Sequence, residues 1–203
     1  MSHKKIGYFG GTFDPPHIGH LVLASEAVYQ FGLSRLYWGL TSDPPHKQEQ
    51  AITPFEHRLE MLKRMIEGNP LFEISYLEVN RPGPHYTIDT IQLLSQQEPD
   101  AEIVLLIGGD SLLDLPTWRR YLDLVAAVSK IGVMRRSSDV YNLSALQVQI
   151  PELTSKVVFI DAQVQPLSSS EIRRRVKESS VYRCYTLPTV SDYIEENKLY
   201  RGK

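Results

Sequence analysis

Cysteine is almost absent from this chain. One cysteine, Cys184, occurs among 203 residues, which excludes an internal disulfide framework and a cysteine-rich zinc site. Long apolar runs are missing too. No run is long enough to cross a membrane, and the run after the basic N-terminus is too short for a signal peptide. These absences predict a cytoplasmic protein without a membrane partner.

An excess of charge of either sign is also lacking. Lys and Arg number 22 against 24 Asp and Glu, a net charge of −2, so nothing draws the whole chain to nucleic acid. Any anion site must therefore be local. With 42% hydrophobic residues, the chain can bury one globular core. We expect a single domain over residues 1–203, with a small helical part from about residue 165, and a homo-oligomer is left open.

Two common phosphate-binding motifs are missing as well. No G-x-G-x-x-G follows the first apolar run, and no G-x-x-x-x-G-K-[ST] occurs anywhere in the sequence. A dinucleotide-binding dehydrogenase and a P-loop ATPase therefore lose their main sequence support.

Short apolar runs alternate instead with segments of helical periodicity. Strands are predicted at residues 5–9, 36–40, 72–79, 102–107, 130–134 and 157–160. Helices are predicted at residues 17–31, 87–97, 143–148, 171–178 and 188–199. A further helix is predicted with Thr53 as its N-cap, Glu56 completing a capping box and Gly68 at its C-terminal end. This alternation predicts an α/β fold, a Rossmann-like doubly wound parallel sheet with helices on both faces.

The segment after the first strand carries the strongest functional signal. Gly10 and Gly11 let the backbone approach a ligand closely, and the helix that follows offers unpaired N–H groups at its start. His17 and His20 are three residues apart, so both project from the same side of the first helical turn. The segment predicts a binding site for the phosphates of a nucleoside triphosphate. Ordinary helix histidines are the alternative, while a zinc pair lacks further local ligands.

A second cluster lies near the C-terminus. Ser168 can cap a helix with Glu171, while Ser169 and Ser170 place hydroxyls and amides at its start. Arg173, one turn along, can fold back toward the same anion. The cluster predicts a second phosphate site, and a capped surface helix with solvated arginines is the alternative.

These two motifs resemble those of the H-x-G-H nucleotidyltransferases. A closer resemblance, to the bacterial nicotinate-nucleotide adenylyltransferases, rests on PPHK at 44–47, HRLEM at 57–61, YTIDT at 86–90, GGDS at 108–111 with Trp118, and the ending from Val190 to Tyr200. The phosphate motifs identify only the superfamily, and the intermediate motifs favour this member. Ser170 stands where the family is expected to have threonine, and it keeps the hydroxyl.

The resemblance implies a reaction and a set of roles. The phosphate of nicotinate mononucleotide attacks the α-phosphate of ATP in line, giving deamido-NAD and pyrophosphate in NAD biosynthesis. No protein nucleophile is required, because alignment and charge stabilisation carry the catalysis. His17, His20 and Arg173 are the expected catalytic residues. ATP is expected to contact Gly10, Gly11, Thr12, Phe13, His17, His20, Gly108, Asp110, Ser169, Ser170 and Arg173. Mg²⁺ is expected on the ATP phosphates, with no dedicated metal site in the protein.

The acceptor nucleotide is expected at four other residues. Lys47 offers a charge to its phosphate, Tyr86 and Thr87 offer helix amides to its carboxylate, and Trp118 can stack on its pyridine ring. The alternatives are a solvated loop lysine, a plain helix cap at Thr87 and a core tryptophan. Asp110, expected to bind ribose hydroxyls, can likewise be a helix cap.

Three competing functions remain from the sequence. Sibling enzymes such as phosphopantetheine adenylyltransferase or a cytidylyltransferase share the phosphate motifs and differ in the acceptor. The amide form of the mononucleotide is a closer competitor as the acceptor substrate. A nucleotide-binding regulator without activity is the third, and the intact His17, His20 and Arg173 argue against it.

Overall fold

The computed structural model describes residues 4–41, 52–134, 143–162 and 167–201. The strands are β1 Lys4–Gly11, β2 Arg35–Leu40, β3 Phe72–Ser75, β4 Ala101–Gly108, β5 Lys130–Met134 and β6 Val157–Ile160. The α-helices are α1 Ile18–Phe31, α2 Phe55–Ile66, α3 Thr87–Gln97, α4 Gly109–Asp114, α5 Tyr121–Ala127, α6 Leu143–Gln149, α7 Leu153–Lys156, α8 Ser169–Lys177 and α9 Pro188–Glu196. Short 3₁₀ helices cover Leu115–Thr117 and Arg183–Tyr185.

The six strands form one parallel sheet in the order β3-β2-β1-β4-β5-β6. The order reverses direction between β1 and β4, which opens a crevice outside the carboxyl ends of these two neighbouring strands. The loop after β1 and the start of α4, directly after β4, border that crevice, and both carry predicted site residues.

Side chains alternate between the two faces of the sheet, and each face has its own buried cluster. On one face, Leu106 packs with residues of α1, α2, α8 and α9. On the other, Leu105 packs with residues of α3, α5 and α6. The predicted α/β fold with helices on both faces is therefore confirmed.

Local details differ from the prediction in three places. The strand predicted to reach residue 79 ends at Ser75, because the chain turns there and the Asn80 N–H closes the turn onto the Tyr76 carbonyl at 3.1 Å. The helix expected to be capped by Thr53 begins at Phe55 without a side-chain cap. Helices α4, α5 and α7 were not predicted, since none exceeds seven residues.

The remaining predicted elements match the structure closely. Helix α3 spans the predicted residues, and α8 has Ser168 at its N-cap, as expected. Among the described residues, no helix is both long and apolar enough to cross a membrane.

Candidate active site

The loop after β1 is anchored in the core by Phe13. This side chain is 3% exposed and contacts the rings of Phe9 and Trp38, with centroids 5.4 and 5.5 Å away. Its backbone is left-handed, with φ of 45°. A side chain at Gly11 would begin 2.8 Å from the Phe13 ring, so glycine is required for this close approach. The buried ring therefore fixes the backbone path that the predicted phosphate contacts depend on.

His17 and His20 lie together at the start of α1. Their rings stack with centroids 3.6 Å apart, and the His17 N–H donates to Nδ1 of His20 at 3.1 Å. Burial lowers the pKa of His20 well below its usual value, and the neighbouring His17 adds to this effect. His20 is therefore neutral at neutral pH. Because its Nδ1 accepts a hydrogen bond, its proton resides on Nε2, where it can be donated to a ligand.

The start of α8 is held directly against the loop that leads to these histidines. Three successive main-chain carbonyls, at residues 14–16, each accept a hydrogen bond from a distant side chain. The donors are Arg173 to Asp14 at 2.7 Å, Ser169 to Pro15 at 2.8 Å and Thr186 to Pro16 at 3.0 Å. The two motifs that the sequence separates by about 150 residues are thus joined by direct hydrogen bonds.

The side chains at the start of α8 have distinct roles in this contact. Ser168 accepts from the Glu171 N–H at 3.2 Å and so caps the helix. The Glu171 carboxylate does not complete a capping box and pairs with Arg174 and Arg175, which lower its pKa to about 2. The Ser169 hydroxyl donates its proton to a carbonyl. Ser170 accepts from Arg173 at 3.2 Å and keeps its own proton for a ligand.

Asp14 lies at the centre of the same loop and is 4% exposed. One carboxylate oxygen accepts from the Tyr200 hydroxyl at 2.7 Å, and the other from the Thr53 N–H at 3.3 Å. The carboxylate therefore ties the chain end and the segment before α2 to the histidine loop. Both of its oxygens are engaged by protein donors.

Arg58 fixes the other side of the loop, although no role was predicted for it. Its side chain is 2% exposed and donates to the carbonyls of Thr12 at 3.0 Å, Thr41 at 2.9 Å and Thr53 at 2.8 Å. It thereby joins the ends of β1 and β2 to the start of α2. A signal was present, because residues 58, 61, 62 and 65 share the buried stripe of α2 and only the first is charged.

A cavity of about 400 Å³ opens beside the first glycines, between β1 and β4. It brings together six predicted residues, namely Gly10, Gly11, Thr12, Tyr86, Thr87 and Trp118. Tyr86 occupies the N-cap of α3 and Thr87 is its first residue, so the amides of this helix start face the crevice side of the sheet. Trp118 lines the cavity and also packs against the core cluster, so it has the core contacts of the second alternative, and stacking on the pyridine ring stays a prediction.

Further residues line the cavity without having been predicted. They include Tyr8, Glu78, His85, Ser111 and Arg119. Glu78 was missed because the strand was extended past it. His85 precedes the YTIDT motif, and Arg119 follows Trp118, so both adjoin residues that the resemblance had singled out.

Some predicted residues lie elsewhere. The cavity ends at Thr12 on this side and is not lined by the neighbouring cluster at the starts of α1 and α8. That cluster consists of His17, His20, Ser169, Ser170 and Arg173. Gly108 and Asp110 are not among the residues that line the cavity. Gly108 is the N-cap of α4 and Asp110 is exposed in its first turn, so Asp110 is not the helix cap. Lys47 lies outside the described residues.

Carboxylate, histidine and cysteine side chains do not converge on a metal site in the part of the chain that the structure describes. No group of three or more of them could hold a metal ion there.

The chain is similar to known proteins over most of its length. A family model described as cytidylyltransferase-like matches residues 8–175. A probable nicotinate-nucleotide adenylyltransferase of Thermomicrobium roseum is 41% identical over 98% of this chain and 92% of its own length. The nicotinate-nucleotide adenylyltransferase of Bacillus subtilis is 41% identical over 98% of this chain and all of its own.

The fold has solved counterparts as well. The nicotinic acid mononucleotide adenylyltransferase of Plasmodium falciparum in complex with NaAD superposes with a TM-score of 0.78 over 98% of both chains, at 21% identity. The same enzyme in complex with APC gives a TM-score of 0.79. At this identity the likeness shows the fold alone.

The chain therefore belongs to the cytidylyltransferase-like family, a class of nucleotidyltransferases. The closer likeness to bacterial nicotinate-nucleotide adenylyltransferases, which the intermediate motifs predicted, is confirmed by full-length relatives.

Proposed function

We propose that this chain is a nicotinate-nucleotide adenylyltransferase, which joins ATP and nicotinate mononucleotide to give deamido-NAD and pyrophosphate in NAD biosynthesis. One observation carries the proposal. The stacked pair of His17 and His20 follows a loop that Arg173 contacts at the Asp14 carbonyl, and Thr12 at the start of this loop lines the cavity together with Thr87 and Trp118. The proposed triphosphate site and the proposed acceptor site therefore adjoin, as a transfer between two bound nucleotides requires.

In the proposed reaction, an oxygen of the mononucleotide phosphate forms a bond to the α-phosphorus of ATP. The bond from that phosphorus to the bridging oxygen breaks, and pyrophosphate leaves with the electron pair. The attacking group is already an anion, so no protein base is needed. Catalysis then consists of holding the two phosphates in line and stabilising the charge on the five-coordinate phosphorus.

Named side chains fit this task. Neutral His20 is proposed to donate its Nε2–H to a phosphate oxygen. Arg173 uses two of its five N–H donors on Asp14 and Ser170, which leaves others for the β- and γ-phosphates. The Ser170 hydroxyl and the amides at the start of α8 supply further donors. The backbone of Thr12 and Phe13 is proposed to contact the same phosphates.

Mg²⁺ is proposed on the triphosphate, where it would neutralise charge on the leaving pyrophosphate. The fit is judged from Asp14, the buried carboxylate of the histidine loop. Both of its oxygens accept hydrogen bonds from the protein, so phosphate oxygens and water are the ligands that we propose for the ion.

The acceptor side of the proposal rests on the cavity. Trp118 is proposed to stack on the pyridine ring, with its carboxylate at the amides of Tyr86 and Thr87. Gly108, the last residue of β4, and Asp110, in the first turn of α4, are proposed to contact the adenosine. The role of Lys47, the cytoplasmic location and a homo-oligomer stay predictions.

Pyrophosphate release from ATP, measured with a panel of acceptors, tests the function. The panel contains nicotinate mononucleotide, its amide form, phosphopantetheine and a sugar phosphate, and kcat/KM is compared across them. We expect the highest value for the acid mononucleotide. A higher value for another acceptor would name a sibling activity, and nucleotide binding without release from any acceptor would identify a regulator.

A further inference from the structure

Glu78 is a buried carboxylate in the wall of the cavity, in the turn that follows β3. The residue as a whole is 7% exposed, and it lines the cavity. One oxygen, Oε1, accepts from the Tyr8 hydroxyl at 3.0 Å and from the Thr90 hydroxyl at 3.2 Å. These two bonds hold the carboxylate between β1 and α3. The side chain is thus fixed in place from two sides.

The second oxygen of Glu78 is different. Oε2 is buried, and no hydrogen-bond partner reaches it from the described residues. A buried carboxylate oxygen without a donor is unfavourable, because it has lost water and gained nothing in exchange. Since the residue lines a cavity wide enough for a nucleotide fragment, a ligand can supply the missing donor.

The chemistry of the acceptor nucleotide limits what that donor is. A carboxylate can only accept hydrogen bonds, and the carboxylate and phosphate of nicotinate mononucleotide can only accept as well. Its ribose hydroxyls are the donors that remain. His85 has a buried Nδ1 without a partner in the same cavity, but an imidazole nitrogen either donates or accepts and so does not define its ligand.

We propose that Oε2 of Glu78 accepts a hydrogen bond from a ribose hydroxyl of the acceptor mononucleotide, which makes Glu78 a specificity residue for ribose. This inference rests on the proposed function. The position agrees with the residues around it, because Thr87 and Trp118, proposed for the nicotinate ring, line the same cavity.

The test compares nicotinate mononucleotide with its 2′-deoxy and 3′-deoxy forms. In the wild type, removal of the contacted hydroxyl should lower kcat/KM about 10- to 100-fold, as expected for a hydrogen bond to a charged group. In Glu78→Gln, which retains an oxygen for Tyr8 and Thr90, the same removal should lower it only about threefold, because the charged acceptor is gone.

Thr90→Val is the matched control. Thr90 is fully buried, does not line the cavity and bonds to the other oxygen of Glu78. This variant disturbs the carboxylate from behind and leaves Oε2 in place, so the cost of removing the hydroxyl should stay at its wild-type value. A purely structural Glu78 would instead make the two variants behave alike.

The outcomes separate this inference from the proposed function. If the wild type neither binds nicotinate mononucleotide nor releases pyrophosphate with it, the proposed function fails. If it does both and Glu78→Gln keeps the full cost of hydroxyl removal, the inference alone is overturned. The same comparison is made for ATP with its 2′-deoxy and 3′-deoxy forms. If Glu78→Gln reduces the cost of hydroxyl removal for ATP and not for the mononucleotide, Glu78 contacts the ribose of ATP and the inference is overturned. Should Glu78→Gln not fold, equal calorimetric affinity of the wild type for the ribose and both deoxy forms would overturn the inference.

Discussion

The guanidinium of Arg173 donates a 2.7 Å hydrogen bond to the main-chain carbonyl of Asp14, which lies 159 residues earlier in the chain. This contact joins the start of α8 to the loop that presents His17 and His20. The two halves of the proposed triphosphate site are therefore positioned by the protein's own hydrogen bonds. Groups fixed in this way need little reorganisation when charge develops on a bound phosphate.

Arg173→Ala should lower kcat for pyrophosphate release about 10²- to 10³-fold, the usual cost of one charge-stabilising donor. Arg173→Lys should recover only part of this, because one ammonium cannot contact Asp14, Ser170 and a phosphate together. Arg174→Ala is the control, since Arg174 is exposed and pairs with Glu171 and Glu178. An equal loss in the Arg174 variant would show that α8 as a whole, not Arg173, matters for turnover.

The hydrogen bond between the His17 N–H and Nδ1 of His20 predicts an order of activity among His20 variants. His20→Ala should lose about 10²- to 10³-fold in kcat and much less in stability. His20→Gln should retain more activity than His20→Asn, because the glutamine amide can reach the Nε2 position while asparagine can only replace Nδ1. Steady-state kinetics and thermal unfolding of the three variants check this. Near-normal turnover in His20→Ala contradicts the catalytic role.

The lowered pKa of His20 also makes stability depend on pH. Below about pH 6.5 the unfolded chain protonates this histidine while the folded protein does not, so the unfolded state gains protons and stability falls. The loss levels off once pH is below the folded-state pKa. We expect the free energy of unfolding in urea to drop between about pH 7.5 and pH 5.5, and to drop less in His20→Gln. Identical pH dependence in both proteins would contradict the neutral state assigned to His20.

Local patterns explain what could be predicted from the sequence. His17 and His20 adjoin because three residues make nearly one helical turn, and Ser168 caps α8 through a bond to a residue three positions on. The Rossmann-like sheet followed from alternating periodicities of strands and helices. All of these depend on neighbours within a few residues.

The rest of the site depends on partners that no local pattern reveals. Tyr200 meets Asp14 across 186 residues, and Thr186 meets Pro16 across 170. Glu78 reached the cavity wall only because β3 ends before it. The alternation of apolar and polar residues stops after Tyr76, and the turn that follows is stabilised by the hydrogen bonds of Glu78 with Tyr8 and Thr90.

Arg58 should be important for stability more than for chemistry. Arg58→Met removes three hydrogen bonds from a charged donor to part-buried carbonyls, and one such bond contributes about 1.5–3 kcal/mol, so the free energy of unfolding should fall by about 3 kcal/mol. Lys63→Met on the exposed side of the same helix should change it by less than about 0.5 kcal/mol. Urea unfolding measures both. A similar small change in the two variants would show that water or other donors replace the Arg58 contacts.

Trp118 lines the cavity and packs on the core, so its two roles must be separated by kinetics. Trp118→Ala should raise KM for nicotinate mononucleotide about tenfold, since loss of a stacking and cation–π contact costs about 0.5–2 kcal/mol, and should leave KM for ATP nearly unchanged. Trp118→Phe keeps an aromatic face and should show a smaller increase. Initial rates with each substrate varied in turn distinguish the cases. If both KM values rise together in Trp118→Ala, the side chain supports the fold near the crevice and does not stack on the acceptor ring.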